Sequence, residues 1–98
     1  MSSIRVLIAD DMPPIREYLS MVLAHEQDME VTGAVGTGAE AVEVALATKP
    51  DVVLMDLEME SPRAGVEAIR LLAERAPDLH CVVLTHFGDD ETVFAAFE

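Results

Sequence analysis

Tryptophan is absent from the 98-residue sequence, tyrosine occurs once and phenylalanine three times, so any core must be built from Val, Leu, Ile, Ala and Met. Cysteine occurs once, as Cys81, which excludes an internal disulfide, and its apolar strand-like setting favours an inert core thiol over a reactive one. Positive charge is scarce too. Six basic residues against nineteen acidic ones give a formal net charge of −13, which repels a phosphate backbone and argues against direct nucleic-acid binding by this chain. No apolar run approaches the roughly 18 residues that span a bilayer, and nothing resembles a leader cleavage site. The expectation is a cytoplasmic chain with no membrane partner. What the sequence does have is apolar content of 51%, enough for one globular domain.

The most informative stretch is Asp51 to Asp56, in which Val52-Val53-Leu54-Met55 lies between two aspartates after a Lys49-Pro50 break. Four apolar residues are too few for a buried helix and suit a strand covered on both faces. A parallel strand delivers the residue that follows it to the carboxyl edge of the sheet, where open α/β sheets place ligands. Asp56 is therefore the candidate working residue.

Taken in order, Ile4 to Ala9 is a second buried-strand candidate, interrupted by Arg5 and closed by Asp10-Asp11. Pro13-Pro14 suits a first helical turn, and Ile15, Leu19, Val22 and Leu23 follow at helical spacing, predicting a helix to about Glu26. Met29 to Val35 reads as a strand. Thr37 and Glu40 have capping-box spacing at the start of a helix whose buried side is Val42, Ala45 and Leu46. After the loop Leu57 to Arg63, Gly65 leads into a helix with Ile69, Leu72, Ala73 and Ala76 on one face, ended by Pro77. His80 to Thr85 is the fourth strand, and Gly88-Asp89-Asp90-Glu91 opens a predicted fourth helix with Asp89 as its cap.

Strands alternating with helices imply parallel strands joined by crossovers, hence a doubly wound α/β sheet. In the flavodoxin-like order 2-1-3-4 the first and third strands are neighbours, so Asp10, Asp11 and Asp56 converge on one cleft. Three clustered carboxylates cannot all stay ionised cheaply, because like charges repel, and they require a cation. An all-oxygen site of carboxylates, a carbonyl and waters suits Mg²⁺, with Mn²⁺ as a substitute.

Asp10-Asp11 within Leu-Ile-Ala-Asp-Asp, Asp56 within Val-Leu-Met-Asp-Leu, and Thr85 within Val-Leu-Thr resemble the receiver domain of two-component response regulators, over essentially the whole chain. The resemblance implies a CheY-like fold and a phosphorylation-dependent switch that is not a conventional enzyme. It makes Asp56 the phosphoacceptor and Asp11 a direct Mg²⁺ ligand. Asp10 would bind the metal directly or through water, and the Glu58 backbone carbonyl would complete the protein ligands. Thr85 would relay the modification through its hydroxyl, and Glu58 and His86 match positions that tune phosphoryl lifetime. The implied partners are a sensor histidine kinase and an effector domain, DNA-binding in kind, outside this chain.

Departures from the family pattern are visible as well. Met59 is followed by Glu60 rather than proline, Pro62 arrives later, and Gly65 lies nine residues after Asp56 instead of eight, as if one residue were inserted. The family's fifth strand and helix have no counterpart, nor does the active-site lysine: the one lysine, Lys49, precedes the third strand. The expectation is a receiver spanning 1–98 and incomplete at its C-terminus. Its fourth strand would then present an unpaired apolar edge, and the chain would form a homodimer across that edge or be the ordered part of a longer polypeptide. Two other function classes compete. A haloacid dehalogenase-type phosphohydrolase wants Asp-x-Asp after the first strand, which adjacent Asp10-Asp11 does not supply; a phosphorylation-independent interaction module is favoured by the missing lysine.

Overall fold

The computed structural model describes the backbone of residues 3–87 and 91–97 and the side chains of residues 3–84. The elements are β1 (Ile4–Ala9), α1 (Pro13–Ala24), β2 (Met29–Val35), α2 (Gly38–Thr48), β3 (Val52–Asp56), α3 (Ala64–Arg75), β4 (His80–Phe87) and β5 (Glu91–Phe97). They build one sheet in the order β2-β1-β3-β4-β5, in which the first four strands are parallel. The 2-1-3-4 arrangement expected from the alternation of apolar runs and helical spacing is the one observed.

Both faces of the central strands are covered, which explains the consecutive apolar residues Val6 to Ala9 and Val52 to Met55. Leu7, Ala9, Val53 and Met55 point to one side and pack with Ala41 and Ala45 of α2 and Ala68 and Leu72 of α3. Val6, Ile8 and Leu84 point to the other and pack with Leu19 of α1. The strand period of two therefore divides β1 between two cores. Small residues on α2 and α3 let those helices sit close to the sheet, so the buried stripe of α3 is Ala64, Gly65, Ala68 and Leu72. This corrects the expected face. Leu72 is buried as expected, but Ala73 is exposed and Ile69 and Ala76 are half-buried, because the stripe facing the sheet runs through Ala64, Ala68 and Leu72, four residues apart, and leaves Ile69 and Ala73 on its flank. On α1, Val22 is likewise 39% exposed, beside exposed Tyr18 and Met21.

Arg5, an interruption in the first apolar run, has a structural task. Its guanidinium donates to the carbonyls of Thr48 at 2.7 Å and Lys49 at 2.9 Å, satisfying acceptors that the end of α2 leaves without helical partners. Its backbone N–H donates to Asp51 Oδ2 at 2.8 Å. One residue thus ties β1 to the α2–β3 junction, where Lys49 turns the chain with φ 51°. Lys49 and Asp51 line a depression at the amino edge of the sheet, together with Arg75 and Asp78.

The C-terminal part departs from the expectation. The predicted fourth helix is instead β5, antiparallel to β4 in a register running from Cys81↔Phe97 to Phe87↔Glu91. β4 also continues two residues past Thr85. Thr92, Val93, Phe94 and Phe97 supply β-branched and aromatic residues, and an open edge on β4 offers them a full ladder of hydrogen bonds. A short segment with weak helical periodicity gains more from that ladder than from an isolated turn of helix. Asp89, the expected cap, lies outside the described residues. The bare β4 edge is therefore paired, which removes the basis for dimerisation across it, and a fifth strand exists although it is not a parallel one.

Candidate functional site

The carboxyl edge of the sheet gathers the acidic residues. β1 ends at Ala9 and β3 at Asp56, and their parallel register pairs Ala9 with Met55, so the next residue on each, Asp10 and Asp56, emerges at the same edge. Carboxylate oxygens of Asp10, Asp11 and Asp56 all lie within 4.8 Å of one another. Asp10 is fully buried, Asp56 is 7% exposed and Asp11 reaches solvent. Two buried carboxylates at that separation repel by roughly 3 kcal/mol in a medium of effective dielectric about 20. A cation drawn between them reverses the sign of that term, and the all-oxygen donor set fits a hard divalent ion such as Mg²⁺.

Local hydrogen bonds orient the acids. Asp10 Oδ1 accepts from the Met12 N–H at 2.9 Å, closing the turn from β1 into α1, and Asp10 N–H donates to the Val35 carbonyl at 3.0 Å. The Arg16 guanidinium donates to the Asp10 carbonyl oxygen at 2.7 Å and lies against Gly36 at the end of β2. Asp56 Oδ1 accepts from the Glu58 N–H at 3.3 Å. The Glu58 side chain is exposed.

The loop after Asp56 is held at its base by Gly65, whose N–H donates to the Leu57 carbonyl at 2.9 Å. Farther out, Glu60 grips another element. Its Oε1 accepts from Gly38 N–H at 2.7 Å and its Oε2 from Ala39 N–H at 3.1 Å, at the start of α2. Thr37 Oγ1 accepts from Glu40 N–H at 3.0 Å, so the first three N–H groups of α2 are all capped by side chains. Burial works to raise the Glu60 pKa, but the N–H groups of Gly38, of Glu60 itself and of Ala39 stabilise the anion and hold it below the ordinary carboxylate value.

Among the sequence candidates, Asp10, Asp11 and Asp56 come together and Glu58 sits beside them. Thr85 directly follows Leu84, the β4 residue paired with Asp56. Its side chain lies outside the described part, as does that of His86. Lys49 sits at the opposite edge of the sheet. Cys81 is buried, and burial pushes its thiol pKa up, which keeps it protonated and inert. Residue-by-residue reading missed Arg16 and the grip of Glu60. Arg16 carries no motif, while Glu60 showed only as an acidic residue where proline was expected.

Residues 6–98 match the family model described as the response regulator receiver domain. Over 94 residues the chain is 40% identical to the transcriptional regulatory protein YhcZ of Bacillus subtilis, covering 96% of this chain and 44% of YhcZ. Over 90 residues it is 38% identical to the oxygen regulatory protein NreC of Staphylococcus aureus, covering 92% of this chain and 42% of NreC. The chain thus spans about two fifths of the length of the curated relatives it matches. Among solved structures it is similar to the response regulator domain of Thermotoga maritima CheB, with TM-score 0.72 and 43% identity over 76% of this chain and 55% of that one. It is also similar to the signal receiver domain of the response regulator NarL from Mycobacterium tuberculosis, with TM-score 0.78 and 26% identity over 85% and 66%. Among the described residues no helix is long and apolar enough to cross a membrane. With its parallel 2-1-3-4 sheet and an acidic cluster where β1 and β3 end, the chain belongs to the response regulator receiver domain family.

Proposed function

We propose that the chain is a cytoplasmic phosphorylation switch in which Asp56 accepts a phosphoryl group from a sensor histidine kinase. The observation that carries this reading is the convergence of the Asp10, Asp11 and Asp56 carboxylates at the carboxyl edge. An Asp56 oxygen bonds to phosphorus as the P–N bond to the kinase histidine breaks, and the imidazole leaves with the bonding pair and takes up a proton. Asp10, Asp11, Asp56 and the Glu58 backbone carbonyl are the protein ligands for Mg²⁺ or Mn²⁺. When bound, the ion neutralises charge on the incoming phosphoryl oxygens.

Burial of Asp56 limits water at the acyl phosphate, and the Glu58 N–H fixes the orientation of the carboxyl group that attacks. The backbone of β4 brings Thr85 to follow Leu84, the partner of Asp56, and we assign its hydroxyl the relay of the modification. Residues 1–98 act as one receiver unit. The word transcriptional in the relatives' names supports assigning its output to a DNA-binding effector. The net charge of −13 leaves DNA contact to that effector. Adjacent Asp10-Asp11 and an acceptor on β3 disfavour the phosphohydrolase reading.

Metal linkage tests the site. At a Mg²⁺ concentration about tenfold over Kd the folded state gains about 1.4 kcal/mol. For a domain of this size that raises the thermal midpoint by roughly 6–11 °C. Asp11→Asn should erase most of the rise while raising the midpoint without metal, because it removes a like charge from the cluster. Superimposable melts with and without Mg²⁺ in the parent chain would sink the metal assignment. Acetyl phosphate with Mg²⁺ then separates the function classes: a stable acyl phosphate supports the switch, turnover of an added phosphoester supports a hydrolase, and no reaction supports an interaction module.

A further inference from the structure

The loop Leu57 to Arg63 carries the Glu58 carbonyl, yet most of the hydrogen bonds that shape it run within the loop or to its own flanks. Met59 and Ala64 N–H both donate to the Ser61 carbonyl at 3.2 Å, Glu58 N–H donates to Asp56, and Gly65 N–H donates to Leu57. The two bonds of Glu60 are different in kind because they run to α2, a separate element. They are charge-assisted and bidentate, and they meet the positive end of a helix dipole, so they fix both the direction and the distance of the loop. Close packing places the two elements within reach: a Cβ on Gly38 would lie 2.7 Å from the Ala64 carbonyl oxygen, so the starts of α2 and α3 all but touch.

We infer that Glu60 is a positioning residue for the phosphoryl site: by bridging the outer loop to the Gly38 and Ala39 N–H groups it holds the Leu57–Glu58 backbone, and with it the Glu58 carbonyl, at the metal position. This inference rests on the proposed metal site. It also gives a physical role to the unusual Met59-Glu60 sequence. A loop one residue longer has more backbone freedom, and a carboxylate anchored on a neighbouring helix removes it. Glu60 acts through the loop backbone and bonds to none of the proposed ligands, so the expected loss of metal affinity is about tenfold, the lower end of what removing a group bonded directly to a ligand costs.

A pure helix cap would behave otherwise, and Thr37 provides the comparison because it caps the same helix without touching the loop. The full chain and its Glu60→Ala, Glu60→Gln and Thr37→Ala variants are titrated with Mn²⁺ by electron paramagnetic resonance of the free ion, and each is melted in parallel. Glu60→Ala should raise the Mn²⁺ Kd by about tenfold, whereas Thr37→Ala should lower the thermal midpoint comparably and move the Kd by less than about twofold. Glu60→Gln keeps one acceptor oxygen and should fall between, and it carries the test if Glu60→Ala does not fold. An unchanged Kd in Glu60→Ala overturns the inference, as does an equal rise in Thr37→Ala. Identical Kd increases in Glu60→Gln and Glu60→Ala overturn it too, since they would show an effect of charge without a tether. A parent chain that binds no Mn²⁺ overturns the metal site itself and the inference with it, a result distinct from the other three.

Discussion

Asp56→Asn is expected to fold, to melt no lower than the parent chain, and to take up no phosphoryl group from acetyl phosphate or from a phosphorylated histidine kinase. The amide keeps an oxygen at the place where Asp56 Oδ1 accepts the Glu58 N–H, so the turn into the loop survives. What is lost is the anion. A neutral amide oxygen is a poor nucleophile, and it cannot form the acyl phosphate that the carboxylate forms. Removing one of three clustered negative charges also relieves repulsion with buried Asp10 and with Asp11. The two effects have opposite signs, which makes the variant diagnostic: a damaged fold would lose both stability and labelling. Intact mass after incubation, with a thermal melt of the same sample, reads both. Retained labelling of Asp56→Asn on another residue would overturn the acceptor assignment. Thr85→Ala should leave labelling intact and weaken the conformational response.

Gly65→Ala is expected to cost about 3 kcal/mol or more, a fall in thermal midpoint on the order of 15 °C for a chain of this length. A Cβ at this position would overlap the Asp56 carbonyl oxygen and crowd the Cα and carbonyl oxygen of Leu57. All of these atoms are backbone, so no side chain can swing aside. The obstruction must move either β3 or the first turn of α3, and both are fixed in the core by Met55 and Ala68. Because the displaced atoms belong to the acceptor itself, the labelling rate of whatever fraction folds should fall as well. A variant melting within about 2 °C of the parent, which at roughly 4–8 °C per kcal/mol corresponds to a few tenths of a kcal/mol, would show that the contact relaxes freely. The close approach explains a sequence feature that spacing alone left open. Although Gly65 lies one residue later than the family pattern places its glycine, it still occupies the point where α3 meets the end of β3.

Local chemistry determined much of this protein. Short apolar runs at Val6 to Ala9 and Val52 to Met55 have no stable alternative to a strand covered on both faces, and their crossovers through helices dictate a parallel sheet. Once the 2-1-3-4 order is adopted, the meeting of Asp10, Asp11 and Asp56 follows from chain direction alone, because parallel strands deliver their following residues to one edge. The tertiary structure decided what depended on competition between partners. Residues 91–97 carry a capping signal upstream and apolar residues at either period, and the open edge of β4 drew them into an antiparallel strand where local propensity pointed to a helix. The buried face of α3 turned toward Ala64 and Ala68 because small residues allow the closest approach to the sheet, a choice that helical spacing does not make. Arg5 and Glu60 took their roles from backbone groups that lie far away in sequence, carbonyls at the end of α2 and N–H groups at its start, while Arg16 reaches back across the β1–α1 turn to the carbonyl of Asp10. Unsatisfied main-chain donors and acceptors exist at every helix end, but which side chain reaches them is settled only when the elements pack.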